Sequence, residues 1–308
     1  MKLLITGTSG FLGSNLLKKM VVFGYPIIAP VRKLPVDRID GISYIVCDDL
    51  FEIVDNKEFF FEVDICIHIA AIAHIKDVSQ DTLFKYNTTL SVSLAQTAAK
   101  FNVKRFVFIS TIGVNGPSNT SAFHQSDVPN PADCYSLSKF KAEVQMKAIV
   151  KSSNLDLVIL RPPLVYGKNA PGNFKNLISL SSCNLPLPLG LIKNNRSFVF
   201  VDNLIDLIIT CIHHQHTIND TFLVSDDEDI SSTDFLNKII TVSGKKTLLF
   251  PVPYSLLVFF ASIIGKKNVL HKFCSSLTIN IDHTKKTLSW LPPYTLDEGI
   301  RSSFLNKL

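Results

Sequence analysis

Charge is sparse in this chain: of 308 residues only 19% are Asp, Glu, Lys or Arg, while 46% are hydrophobic. That balance excludes a disordered chain, which needs high charge and few apolar residues. No CxxC pair occurs among the six cysteines at 47, 66, 134, 183, 211 and 274. Neither a zinc site nor a disulfide framework is indicated, and the cysteines read as reduced, mostly buried thiols of a cytoplasmic protein. A chain this long buries enough surface to need no such staple. No signal peptide is visible, since Met1-Lys2 leads straight into Leu3-Leu4-Ile5 and glycine-rich sequence. Mean hydropathy is +0.26, yet no apolar run reaches the about 20 residues that a membrane-spanning helix needs. The longest, 256–264, lies between Pro253 and Gly265. It reads as a buried helix, with contact to a membrane surface as a second reading and no stable membrane insertion. The net charge of +5 is dispersed, apart from short clusters such as Lys266-Lys267 and Lys285-Lys286, so no nucleic-acid surface is expected.

The first half alternates strand and helix patterns. Strands are expected at 3–5, 26–31, 43–46, 63–69, 105–109 and 156–160, and helices at 11–23, 82–100 and 134–151. Continuous apolar strands separated by helices imply a parallel sheet covered on both faces. After Arg161-Pro162-Pro163 the pattern changes. Residues 166–197 are rich in Gly, Pro, Asn and Lys, followed by a strand at 198–201, a helix at 202–213 and a strand at 221–224. A further helix starts near 231–234, with Ser232 or Thr233 as its N-cap. The fold class is therefore α/β, a Rossmann-type doubly wound parallel sheet with a smaller, irregular α/β C-terminal substrate domain. The division expected is a dinucleotide-binding domain at 1–165, to which the chain returns near 196–222, and a mainly substrate-binding domain at 166–308.

Thr6-Gly7-Thr8-Ser9-Gly10-Phe11-Leu12-Gly13 follows the first strand and opens the first helix. Its GxxGxxG spacing suits a phosphate cradle. Gly7 permits the tight turn, Gly10 lets a pyrophosphate approach the backbone, and Gly13 allows close helix–strand packing. The helix N-terminus supplies N–H groups and partial positive charge. The cofactor implied is NAD or NADP. The second strand ends in Ala29-Pro30-Val31-Arg32-Lys33 without an acid for a ribose 2′-hydroxyl, so Arg32 either meets a 2′-phosphate or stacks on adenine, and NADP is slightly favoured.

Tyr135-Ser136-Leu137-Ser138-Lys139 places a phenol and an ammonium at i and i+4 on one helical face. A phenol ordinarily titrates near ~10. The lysine and an oxidised nicotinamide favour the tyrosinate and are expected to bring it toward working pH. Ser110 and Thr111 stand at the carboxyl end of the fifth strand, facing the ligand crevice of such a sheet. Thr111 is the candidate to hold the reacting oxygen, with Ser110 as its competitor.

The motifs now form an ordered set: TGTSGFLG at 6–13, CDDL at 47–50, HIAAIAH at 68–74, YNTT at 86–89, FVFISTIGVNG at 106–116, YSLSK at 135–139, LRPPLVYG at 160–167 and RSFVFVDNLID at 196–206. Over nearly the whole chain this set resembles the extended short-chain dehydrogenase/reductase superfamily, and within it the NAD-dependent epimerases/dehydratases of sugar nucleotides. The resemblance implies that Gly7, Ser9, Gly10, Phe11, Leu12 and Gly13 hold the dinucleotide, with Arg32 near its ribose. It places Asp49 and Leu50 at adenine and Ala70 and Ala71 along the diphosphate-ribose path. Asn87 would support the cofactor loop. Ser110, Tyr135, Lys139 and Pro162 complete the cofactor set. Thr111, Tyr135 and Lys139 would be catalytic, while Thr111, Asn173 and Arg196 would bind substrate, the latter two at the UDP diphosphate. Leu164 stands where the family often carries asparagine, which removes one substrate hydrogen bond.

The resemblance implies redox chemistry at C4 of a UDP-linked, 2-acetamido hexose. The stretch LPLPLG with NNRSFVFVDN is similar to a subgroup linked to O-antigen and capsule sugars. The first expectation is a UDP-4-keto-6-deoxy-hexosamine 4-reductase, slightly favoured by the missing acid and Arg32. The alternative is a UDP-glucose or UDP-N-acetylglucosamine 4-epimerase with tightly held NAD, and the remote one a non-catalytic dinucleotide-binding regulator. A homodimer through helices 82–100 and 134–151 is implied as well.

Three further signals point elsewhere. His213-His214-Gln215-His216 reads as a solvated helix end rather than a metal cluster, and no metal is expected. Asp226-Asp227-Glu228-Asp229 lacks EF-hand spacing and reads as a solvated loop. His68 and His74 are expected in core or cap roles.

Overall fold

A computed structural model describes residues 1–73, 78–215 and 219–304. His74 and His216 lie outside them. The strands in chain order are β1 (Leu3–Thr6), β2 (Ile27–Val31), β3 (Ile42–Val46), β4 (Ile65–His68), β5 (Arg105–Ile109), β6 (Asp156–Arg161), β7 (Leu164–Tyr166), β8 (Arg196–Phe200), β9 (Asp220–Leu223) and β10 (Asp229–Ile230). Seven of them form one sheet in the order β3-β2-β1-β4-β5-β6-β9, and every pairing in it is parallel. The chain winds outward through β2 and β3, then crosses back to β4. The strand order therefore reverses between β1 and β4, where such sheets open a crevice beyond their carboxyl ends. β7, β8 and β10 form a separate three-stranded sheet.

The helices are α1 (Phe11–Met20), α2 (Lys57–Phe60), α3 (Gln80–Phe84), α4 (Ser91–Lys100), α5 (Cys134–Val150), α6 (Asn173–Ser181), α7 (Val201–His213), α8 (Ser232–Ser243), α9 (Tyr254–Ile263), α10 (Lys267–Cys274), α11 (Asp282–Leu288) and α12 (Leu296–Phe304). They cover both faces of the large sheet, and alternate residues of a strand feed opposite layers. Leu3 and Ile5 join the cluster that holds α1 and α7, whereas Leu4, between them, joins the cluster that holds α4 and α5. Each such fully buried leucine or isoleucine contributes on the order of 1.5–3 kcal/mol.

The Rossmann-type α/β fold expected from the sequence is the one observed. Local details differ. The helix read at 82–100 begins at Gln80 and carries a π-helical stretch, Lys85–Leu90, between α3 and α4. The N-cap of α8 is Ser231, whose side chain accepts from Asp234 N, and not Ser232 or Thr233 as expected. Asp226 is buried, not solvated. It accepts hydrogen bonds from Phe200 N, Asn203 Nδ2 and Tyr166 Oη at 2.7–2.8 Å. Those three donors supply the solvation that the loop position would otherwise take from water. The apolar run 256–264 is helical, but only Leu257 and Ala261 of α9 are buried. Too little chain packs over it for the burial its composition suggests.

Candidate active site

The turn after β1 is built by glycine. Gly7 has φ +78°, and a Cβ there would lie 2.6 Å from Ala70 N on the loop after β4. Gly13 packs against the same turn, since a Cβ on it would meet Gly7 O at 2.2 Å. α1 then starts at an N-cap, Gly10, which offers no side-chain cap. Its first N–H groups are left for another acceptor, and the helix dipole favours an anion there. Beside them the Thr8 hydroxyl is buried without a hydrogen-bond partner. An uncapped helix start, a cradle no side chain fills and an orphaned hydroxyl together fit a dinucleotide diphosphate.

The facing strand supports this turn. Thr6 and His68 are register partners on β1 and β4, and Thr6 Oγ1 lies 2.7 Å from His68 Nδ1. The other ring nitrogen of His68 meets Ser91 Oγ at 2.8 Å. Burial, with help from the nearby Lys139 charge, holds His68 down to about 3, so the ring is a neutral core group. Ala70 and Ala71 follow on the loop. Asn87, within the π-helical stretch, clamps that loop by accepting from Ile72 N at 2.8 Å and donating to Ile72 O at 3.0 Å. It also donates to Ser138 Oγ at 3.2 Å, which ties the loop to α5.

Just past the end of β2, Arg32 is exposed. The Asp49 carboxylate has local duties: it accepts from Phe51 N at 3.1 Å and from Tyr86 Oη at 2.8 Å, and Leu50 begins the short turn it caps.

α5 carries Tyr135 and Lys139, the pair singled out from the sequence. Asp133 caps it by accepting from Ser136 N at 2.8 Å, which fixes Tyr135 in the first turn and Lys139 one turn on. Lys139 is buried, donates from Nζ to Ile109 O at 2.8 Å and sits 4.4 Å from the ring centre of Phe108. Burial pulls the ammonium down to about 7 against the pull of Glu143. Burial, aided by Asp133, pushes the Tyr135 phenol up to about 12. The lowering expected from the sequence is therefore not present in the chain by itself. It requires positive charge beyond that of Lys139.

Thr111 caps the turn after β5, accepting from Gly113 N at 3.2 Å. A Cβ on Gly113 would lie 2.3 Å from Ser136 Oγ and 3.5 Å from Thr111 Oγ1, so Thr111 and the first turn of α5 converge on one spot. Ser110 is turned away from it. Its hydroxyl donates to Glu143 Oε1 at 2.5 Å in the buried interior. Pro162, just past the end of β6, accepts from Ile112 N at 2.9 Å. Asn173 is exposed at the start of α6. Arg196, at the start of β8, donates from Nη1 to Lys272 O and Ser275 O at 2.9 and 3.0 Å, and burial lowers its pKa.

The sequence reading missed a buried ion pair behind the site. Arg161 binds both carboxylate oxygens of Glu143 and the side-chain oxygen of Asn115, bracing the ends of β5 and β6 against α5. The signal was present, since Glu143 follows Lys139 by four residues and shares its inward face.

The crevice at the strand-order reversal, the glycine turn and the Tyr-Lys helix define a dinucleotide-dependent oxidoreductase site of the extended short-chain dehydrogenase/reductase type. The model of the NAD dependent epimerase/dehydratase family matches residues 3–224, and the chain belongs to that family. A UDP-glucose 4-epimerase of Vibrio cholerae is 38% identical, over 98% of this chain and 94% of its own. An N-acetyl-alpha-D-glucosaminyl-diphospho-ditrans,octacis-undecaprenol 4-epimerase of Escherichia coli O157:H7 is 25% identical, over 96% and 92%. Among solved structures, UDP-glucuronic acid 4-epimerase from Bacillus cereus in complex with NAD shares the fold with a TM-score of 0.81 at 19% identity, covering 99% of this chain and 95% of that one.

Proposed function

We propose that this chain is an NAD-dependent 4-epimerase of a UDP-hexose or UDP-2-acetamido-hexose. The observation that carries the proposal is its 38% identity, over almost its entire length, to a protein named as a 4-epimerase. The intact Tyr135–Lys139 helix beside a glycine turn supports it. In this reading residues 1–165 hold the dinucleotide, with the chain returning near 196–222, and 166–308 mainly hold the sugar nucleotide.

The glycine turn after β1 would hold NAD, which would supply reversible hydride transfer at C4 of the sugar. The Tyr135 phenolate takes the C4 hydroxyl proton, and later returns it to the same oxygen after the 4-keto sugar has turned its other face. Lys139, fixed by Ile109 O, supplies one of the positive charges that bring the phenol down from about 12. Thr111 already accepts from Gly113 N, so its own O–H is free to donate to the reacting oxygen. Arg196 and Asn173 meet the UDP diphosphate, where the planar guanidinium is suited to phosphate. Ser9, Phe11, Leu12, Asp49, Leu50, Ala70 and Ala71 line the dinucleotide.

A second reading, a 4-keto reductase using NADPH, is favoured by one observation: β2 is followed by exposed Arg32 and Lys33 with no acid. Purified protein discriminates the two. A 4-epimerase retains NAD through purification and interconverts C4 epimers without added reductant. A reductase arrives without cofactor and consumes NADPH with a 4-keto sugar. The six free cysteines suit a cytoplasmic setting, and the helical layer of α3, α4 and α5 is the proposed homodimer face, tested by light scattering.

A further inference from the structure

α9 is built inside out. Leu256, Phe259, Phe260 and Ile263 stand at i, i+3, i+4 and i+7, the spacing that ordinarily faces a core. Here all four are exposed, Phe259 by 60% and Ile263 by 68%. Ile264 and, on α10, Val269 extend the apolar surface. The opposite side of α9, Leu257 and Ala261, is what packs on the protein. Between Asp234 and Asp282 the sequence holds no acidic residue; of its six lysines, Lys238 and Lys272 face Asp297 and Asp133 from outside the stretch, and Lys245, Lys246, Lys266 and Lys267 are the cations offered to a partner. Lys266 and Lys267 join the two helices directly and are exposed. No helix among the described residues is long and apolar enough to cross a membrane.

An apolar helical face rimmed by charge of one sign fits the interface plane of an anionic bilayer. It fits a second copy of the chain poorly, because a two-fold contact would set the lysine rim of one copy against that of the other. We infer that α9 and α10 form a peripheral docking surface for an anionic lipid bilayer, with the aromatic and aliphatic side chains in the headgroup region and the lysines on the phosphates. The surface adjoins the candidate active site. Arg196 is bound to carbonyls at the end of α10, and Lys272 Nζ lies 4.0 Å from Asp133, the cap of the Tyr135 helix. Docking through α9 therefore sets the rim of the site at the membrane surface. The inference stands for an epimerase and a reductase alike.

The test is flotation of the full chain with vesicles of phosphatidylcholine alone and of phosphatidylcholine with phosphatidylglycerol. The chain is expected to float with the anionic vesicles, to be released by salt and to stay behind with the neutral ones. Phe259→Ser with Phe260→Ser is expected to abolish flotation with unchanged thermal melting, since both side chains are already exposed. Lys266→Gln with Lys267→Gln is expected to lower the partition coefficient roughly 30-fold, at about five- to sixfold per lysine. Failure of the unmodified chain to float with either vesicle, or equal and salt-insensitive flotation with both, overturns the inference. So does a dimer in solution that the Phe259/Phe260 pair of changes splits, since a second copy would then be what covers the face.

Discussion

Lys139 donates from its buried Nζ to the main-chain oxygen of Ile109 at 2.8 Å, so the ammonium is locked to the end of the fifth strand rather than left to swing. One turn earlier on the same helix stands Tyr135. The lysine is thus a fixed charge near a phenol that burial has made hard to ionise, and its effect should be read in the phenol. Lys139→Met keeps the stem and removes the charge. We expect kcat to fall about 10²–10⁴-fold. The acid limb of the pH–rate profile, which reports ionisation of the base, should move to higher pH, because loss of a positive charge disfavours the phenolate. An unchanged limb would remove Lys139 from that role.

Gly13→Ala tests the cofactor turn. The added Cβ would meet Gly7 O at 2.2 Å, and both partners are backbone, so the turn must shift. We expect NAD affinity, measured by titration calorimetry, to fall at least tenfold, together with a lowered melting temperature.

The Arg161–Glu143 pair gives a stability prediction. Both side chains are buried, and Glu143 also takes the Ser110 hydroxyl. Glu143→Gln strands the guanidinium, and breaking such a pair costs about 3–5 kcal/mol. Urea unfolding of the variant at neutral pH checks the figure.

His68 makes stability fall in mild acid. Its folded pKa, about 3, lies below its ordinary 6.5. Between those values the unfolded chain binds a proton that the folded ring refuses. The stability it contributes is complete above pH 6.5 and declines as pH drops, by up to about 1.4 kcal/mol per unit. His68→Gln should flatten that slope in denaturation curves taken between pH 7 and pH 4.5.

What the sequence made legible follows its chemistry. The β1 turn, the Tyr135–Lys139 helix and the parallel sheet were readable because glycine spacing, i,i+4 spacing and continuous apolar strands are local patterns. Asp226 was not readable: its neighbours in sequence are acidic and exposed, and its three donors come from Tyr166, Phe200 and Asn203, far away along the chain. Thr111 was readable as the candidate and Ser110 as its competitor, but the hydrogen bond from Ser110 to Glu143, 33 residues on, was not. The apolar composition of α9 suggested burial because periodicity shows which residues share a face and not which way that face points.

The most direct test is turnover by the unmodified chain beside Tyr135→Phe, each with NAD and no reduced cofactor, followed by NMR of the C4 proton of UDP-glucose and UDP-N-acetylglucosamine. We expect the unmodified chain to equilibrate the C4 epimers of at least one of them, and the variant to bind NAD equally well yet turn over 10²–10⁴-fold more slowly. Equal rates in the two proteins would contradict a proton-transferring Tyr135.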